Sequence, residues 1–303
     1  MTFPQTKAFA ILVGAVGVIF FSAKAVMVKL AYEYGVGAVE LLLFRMLFAL
    51  PFYVAIAFIK KPLDTKHIKK SDYLWIIFFG FIGYYLASYF DFLGLKYIKA
   101  SMERIILFIY PTLVLIISRI FLKKKITSPQ IIAIVITYVG IVITFYEELE
   151  ISGQGVLLGG TLVFFSALTY ATYLAGSGWL IPKFGATTFT SYAMIVSCLS
   201  VIVHYLIFIR TDLSHYDLEV YALALLMALL STVIPSYLVS MAIKQLGAPN
   251  FSIIGSLGPI STIILANIFL EEQMTFLQII GTAIVISGII VISRSKKISV
   301  TKT

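Results

Sequence analysis

Ten long, mostly apolar stretches fill almost the whole of this sequence, at residues 8–28, 38–59, 72–94, 100–121, 127–146, 155–178, 187–209, 219–243, 248–270 and 275–293. A helix that crosses the hydrocarbon core of a bilayer needs about 20 such residues. Inside that core every backbone N–H and C=O must be satisfied within the segment, so continuous apolar runs of this length fold as helices. Only 12% of the chain is charged and 60% is hydrophobic, whereas a soluble domain carries about 25% charged residues. A soluble globular fold and a disordered chain are both excluded. A β-barrel is excluded too, because its strands alternate apolar and polar over about ten residues. The expectation is an all-α integral membrane protein with ten transmembrane helices. The longest polar connections, 60–71 and 210–218, are too short for a soluble domain. Ala23-Lys24-Ala25 faintly resembles a signal-peptidase site. Only one lysine precedes that stretch, and the internal repeat described next needs the helix, so span 1 is expected to be retained.

The net charge of +9 is spread over many short loops, which points to membrane orientation rather than nucleic-acid binding. With the N-terminus placed inside, the inner segments hold 15 Lys and Arg residues and the outer loops hold four: Lys29, Lys96, Lys99 and Arg210. Lys24, Arg45, Arg104 and Arg119 lie within spans. This bias orients both termini to the cytoplasm of a multi-pass protein of the cytoplasmic (inner) membrane. The lone cysteine, Cys198, allows no internal disulfide. His67, His204 and His215 have no metal-ligand spacing, so neither metal nor cofactor is expected. There is no phosphate-binding P-loop to couple ATP directly.

A shift of 148 residues aligns two halves without a gap, with 16 identities in the 50 positions from 96 to 145. Pro111 falls on Pro259, Phe121-Leu122 on Phe269-Leu270, Gln130-Ile131-Ile132 on Gln278-Ile279-Ile280, and Gly140-Ile141 on Gly288-Ile289. Upstream, Tyr73 matches Tyr221 and Ser88-Tyr89 matches Ser236-Tyr237. Matches at Pro, Gly and Gln are not produced by apolar composition alone. Five helices per copy make the second copy upside down, so residues 1–148 and 149–303 are expected as two inverted five-helix repeats. Lys123-Lys124-Lys125, placed inside by charge, corresponds to Glu271-Glu272-Gln273, placed outside. Inverted repeats with a site between them are the plan of many secondary transporters.

Three stretches carry a family resemblance: Gly94-Leu95-Lys96-Tyr97-Ile98-Lys99-Ala100, Leu107-Phe108-Ile109-Tyr110-Pro111, and Leu246-Gly247-Ala248 through Pro259 to Phe269-Leu270-Glu271-Glu272. With Gly281 and Gly288, they resemble the EamA-type transporters of the drug/metabolite transporter superfamily, over the whole chain. The resemblance implies a carrier of amino acids, drugs, nucleosides or other metabolites, with a central cavity lined by spans 1, 3, 4, 6, 8 and 9. Glu103-Arg104 departs from the family pattern, where many members have apolar or small residues.

Six charged residues fall in the outer half of the spans: Lys24, Glu40, Arg45, Asp91, Glu103 and Arg104. Burying one charge at a helix centre costs about 2.5–3.5 kcal/mol on insertion scales, and mutual pairing reduces that cost. They form either a binding vestibule or proton-coupled gate, with Asp91 and Glu103 carrying the proton, or a structural lattice pinning spans 1 to 4. Their counterparts in the second copy, Thr172, Thr188, Ala193, Val239, Phe251 and Ser252, are all uncharged. Arg119 is expected to snorkel at the inner membrane face. Aromatic and hydroxyl residues form a second candidate set for substrate contact: Tyr84, Tyr85, Ser88 and Tyr89, then Thr169, Tyr170, Thr172 and Tyr173, then Ser236, Tyr237 and Ser240. Spacings of three and four put Tyr85, Ser88 and Tyr89 on one helix face. Pro111 and Pro259 are expected as mid-helix kinks. Asn250 shows no obvious partner, and His204 stands alone among apolar residues.

The leading function is secondary transport of a small organic metabolite across the bilayer by alternating access, in the direction of export, with protons as a candidate coupling ion. The protein would work as a monomer or a homodimer. The alternatives are an integral-membrane enzyme, for which no catalytic motif is present, and a passive channel.

Overall fold

The computed structural model describes residues 6–63, 68–98, 100–144, 155–270 and 275–294. The loop carboxylates Glu147, Glu148, Glu150, Glu271 and Glu272 and the histidine His67 lie outside the described residues. No strand occurs among the described residues. In chain order the helices are α1 Lys7–Glu33, α2 Ala38–Ile59, α3 Lys70–Gly80, α4 Ala87–Gly94, α5 Ala100–Leu107, α6 Tyr110–Phe121 and α7 Ser128–Thr144. They continue as α8 Val156–Phe184, α9 Ala186–Phe208, α10 Leu218–Ala228, α11 Ile234–Leu246, α12 Ala248–Ile254, α13 Leu257–Leu270 and α14 Phe276–Arg294. Among these residues seven helical runs are long and apolar enough to cross a membrane, and Tyr110–Phe121, Ser128–Ile143 and Ile279–Val291 are shorter apolar helices.

The helix ends follow local chemistry. Thr6 caps α1 by accepting from the Phe9 N–H at 3.2 Å. The helix runs five residues past the expected end at 28 and stops before Gly35, whose φ of 75° suits glycine. Lys29, expected in an outer loop, is therefore helical. Its ammonium donates to the carbonyls of Leu95 at 2.7 Å and Ile98 at 2.9 Å, satisfying acceptors at the end of α4. Likewise α8 runs past 178 to Phe184, ending at Gly185 with φ 82°.

Two segments are wound as π-helix, Phe81–Leu86 between α3 and α4 and Leu229–Val233 between α10 and α11. They begin 148 positions apart. A π turn holds an extra residue, so it rotates every side chain that follows. In the first, a methyl group on Gly83 would collide with Tyr173 of α8, so the backbones approach only because Gly83 has no side chain.

The two prolines expected as kinks do something different. Pro111 stands at the start of α6, after a break at 108–109, and Pro259 stands in the first turn of α13, after a break at 255–256. In a first helical turn the missing N–H costs no intrahelical bond. Each proline thus begins a new helix instead of bending a continuous one. The two breaks touch, since a methyl group on Gly255 would strike the Tyr110 hydroxyl.

Packing is reciprocal under the same 148-residue offset. α1 packs on α11 as α8 packs on α4, and α1 packs on α13 as α8 packs on α6. α2 meets its counterpart α9, and α7 meets its counterpart α14. Apolar side chains such as Phe58, Phe121, Leu157, Phe208 and Phe276 face outward. Ser177, Thr190, Ser197, Ser240 and Ser252 are buried. Small hydroxyl residues let helix backbones approach, and many satisfy their hydroxyl on their own helix, as Ser177 does on the Leu174 carbonyl at 2.8 Å. An apolar exterior around a partly polar interior belongs to a multi-pass membrane protein.

Candidate functional site

A cavity of about 110 Å³ lies among these helices. Its walls come from α1, α4, α5, α6, α8, α12 and α13, from both π segments, and from Arg45 of α2. These include the six spans named by resemblance, with span 2 added. Six pairs of lining residues stand 148 positions apart: Val18 and Ser166, Ser22 and Tyr170, Gly83 and Ser231, Tyr84 and Thr232, Leu107 and Gly255, Tyr110 and Gly258.

The charged wall has no such symmetry. Lys24, Arg45, Asp91 and Arg104 line the cavity, and all belong to the first half. The Lys24 ammonium contacts Asp91 Oδ2 directly and lies 3.8 Å from Glu103 Oε1. Arg104 Nε lies 2.9 Å from Glu103 Oε2. Asp91 and Glu103 are 1% and 0% exposed, while Lys24 between them keeps 14% of its side chain accessible. Arg45 joins from α2, donating to Ser88 Oγ at 2.8 Å and lying 4.9 Å above the Phe92 ring.

Glu40, expected in the same set, does not join it. It lies in the first turn of α2, where its carboxylate accepts from Thr211 Oγ1 at 3.4 Å. Five residues separate it from Arg45, more than one helical turn, so the two point to different surroundings. Arg119 is exposed near the end of α6.

The aromatic candidates divide. Tyr170 lines the cavity, and so does Ser88, but Tyr85 and Tyr89 turn to α9. Tyr85 OH bonds His204 Nδ1 at 3.0 Å, and Tyr89 packs on the same imidazole, 4.8 Å between centroids. His204 is thus not alone among apolar residues. The π segment at 81–86 rotates Tyr84 into the cavity instead. Tyr173 is buried behind Tyr84, with ring centroids 4.7 Å apart. Thr169 returns its hydroxyl to the Phe165 carbonyl at 2.8 Å. Ser236 and Tyr237 belong to a separate network, in which Tyr53 OH meets Ser236 Oγ at 2.9 Å and Tyr237 OH meets Ser191 Oγ at 2.8 Å. Asn250, expected without a partner, accepts from Gln130 Nε2 at 3.0 Å and donates to the Leu246 carbonyl at 2.7 Å. Tyr53→Phe is expected to cost about 1 kcal/mol, one buried neutral hydrogen bond, on equilibrium unfolding in detergent. An unchanged midpoint would show that this network adds nothing.

Sequence reasoning names Tyr84 in its aromatic set but does not single out Tyr110, Phe251 or Thr232 as wall residues. The signal that could have found two of them is the offset itself, which maps Thr232 on Tyr84 and Tyr110 on Gly258.

The EamA-like transporter family matches residues 8–146 and again residues 157–294. This chain belongs to the EamA-like transporter family. Relatives of the EamA chain include "Uncharacterized transporter YcbK" of Bacillus subtilis (strain 168), 28% identical over 270 residues that cover 88% of this chain and 86% of the relative. Another is "Uncharacterized transporter YyaM" of the same organism, 26% identical over 236 residues, 76% of this chain and 77% of the relative. A solved crystal structure superposes with a TM-score of 0.76 at 12% identity, covering 95% of this EamA chain and 99% of that one, which shows the fold alone.

Proposed function

We propose that this membrane transporter is a secondary carrier that moves a small organic metabolite outward by alternating access. In this reading ten spans form two inverted units, 1–148 and 149–303, with both termini cytoplasmic. The observation that carries it is the set of six lining pairs 148 residues apart. A cavity built from equivalent positions of two copies can open to either side when the copies exchange conformations. The abutting helix breaks at 108–109 and 255–256, each beside the cavity, offer hinge points for that exchange. Reciprocal packing across α7 and α14 supports a two-fold relation between the units.

The test is metabolite profiling of cells and medium with and without expression, followed by counterflow of the identified solute in proteoliposomes. Saturable counterflow is expected. Flux without saturation or counterflow would favour a channel, and product formation without translocation would favour an enzyme.

Asp91 and Glu103 are the proposed proton carriers. Glu103 contacts both Lys24 and Arg104 but does not line the cavity. Glu103→Gln is therefore expected to abolish pH-driven transport while sparing counterflow. Retained pH dependence would leave the cluster as a structural lattice.

A further inference from the structure

The charges at the cavity do not balance. Lys24, Arg45 and Arg104 supply three positive charges against at most two negative ones from Asp91 and Glu103, so the cluster carries at least one surplus positive charge. Lys24 is taken up by Asp91 and Glu103. Arg104 has Glu103 at its Nε. Arg45 has no carboxylate within ion-pair distance among the described residues; it has a serine hydroxyl and a phenyl face. It is nevertheless 3% exposed. A buried cation whose attraction to Asp91 acts only from beyond ion-pair distance is costly, and placing it on the wall of a cavity leaves room for a closer counter-charge to arrive from outside.

Three donors besides the Arg104 Nε that faces Glu103 await such a group. Arg45 Nε, Arg104 Nη2 and the Tyr84 hydroxyl are buried and have no hydrogen-bond partner. Guanidinium groups are planar donors matched to a carboxylate. Around them stand Phe21, Tyr84, Tyr110, Tyr170 and Phe251, whose rings suit an apolar body. Asp91 Oδ1 is also without a partner. An ammonium placed there would suit a zwitterion, but a zwitterion leaves the surplus charge uncompensated.

We propose that this cavity binds a small organic monoanion, its carboxylate held by Arg45 and Arg104 and its apolar part against the aromatic wall. The proposal rests on the carrier reading above and names the substrate class of the same site.

The test is equilibrium binding to the full-length protein in lipid nanodiscs, using four ligands of matched shape: 3-phenylpropanoate, 3-phenylpropan-1-ol, 2-phenylethylamine and phenylalanine. The carboxylate is expected to bind saturably and to raise the melting temperature. The alcohol and the amine should not bind, and the amino acid should bind more weakly than the carboxylate. Arg45→Gln should weaken carboxylate binding about tenfold or more, as loss of a charge-assisted hydrogen bond does. Arg45→Lys should restore part of the affinity. Arg45→Gln should also fold at least as well as wild type, because it removes the uncompensated charge. The ligand series on wild-type protein decides the matter even if a variant does not fold.

Absence of carboxylate binding would overturn the proposal. So would equal or tighter binding of the amine or the amino acid, or unchanged binding in a folded Arg45→Gln protein. Selective carboxylate binding without counterflow would sink the carrier reading and leave the anion site standing. Counterflow of a neutral or cationic solute would do the reverse.

Discussion

Replacing Lys24 by methionine is expected to destabilise the protein by about 3–5 kcal/mol, the cost of removing one partner from a buried ion pair. Methionine preserves the length and most of the volume of the side chain, so the loss is one of charge. Two carboxylates depend on this ammonium. Asp91 is in direct contact with it, and Glu103 lies 3.8 Å away. Without it Asp91 keeps no salt-bridge partner among the described residues, and two like charges remain buried beside each other. The double variant Lys24→Met with Asp91→Asn should recover much of the loss, because removing both partners of a buried pair is far less costly than removing one. The measurement is equilibrium unfolding in mixed detergent micelles for the four members of the cycle. A Lys24→Met protein within about 0.5 kcal/mol of wild type, the range of ordinary surface changes, would show that the pair does not hold α1 against α4.

The second large effect is expected at the contact of α7 with α14. A β-carbon on Gly140 would lie 2.8 Å from the Gly281 carbonyl oxygen and 2.9 Å from the Val285 nitrogen, both backbone atoms. A β-carbon on Gly288 would lie 3.0 Å from the Ala133 carbonyl oxygen and 2.7 Å from Thr137 Cγ2. Gly140→Leu and Gly288→Leu must therefore push the helices apart, and overpacking of this kind costs about 1–3 kcal/mol, sometimes more. The contact is reciprocal, since Gly140 corresponds to Gly288 and Ala133 to Gly281. The two variants should lose similar stability, and the double variant should lose less than the sum because one separation relieves both clashes. Neither residue lines the cavity, so ligand binding by the folded fraction should persist. Fully additive losses would mean that the two glycines act at independent contacts.

Several side chains show where a one-dimensional reading stops. The spacing of Tyr85, Ser88 and Tyr89 implies one shared face, yet Ser88 meets Arg45 while the two tyrosines meet His204. The π segment just before Ala87 alters the register, and nothing in the local residues Phe81–Leu86 announces it. Pro111 and Pro259 read as mid-helix kinks, although proline disrupts a helix interior and is tolerated in a first turn. Which applies depends on whether the preceding residues are helical, and here they break. Glu40 and Arg45 look like members of one charged set until the turn of α2 carries them to different neighbours.

What the sequence by itself determined is the helical membrane fold, the family and the internal offset. Long apolar runs leave a helix as the only way to satisfy the backbone in lipid, and Pro, Gly and Gln matches survive an apolar background. Four of the six expected charges, Lys24, Arg45, Asp91 and Arg104, stand on the cavity wall, and Glu103 pairs with two of them, as a charge inside an apolar run needs a partner. Tertiary structure alone decided which face of each helix meets the cavity. In a soluble protein the polar face marks the outside. In these helices the outside is as apolar as the core, so hydrophobic periodicity carries little information about direction. Close packing through Gly83, Gly140 and Gly255 then selects the facing, and with it the position of Tyr84, Tyr110 and Arg45 on the cavity wall.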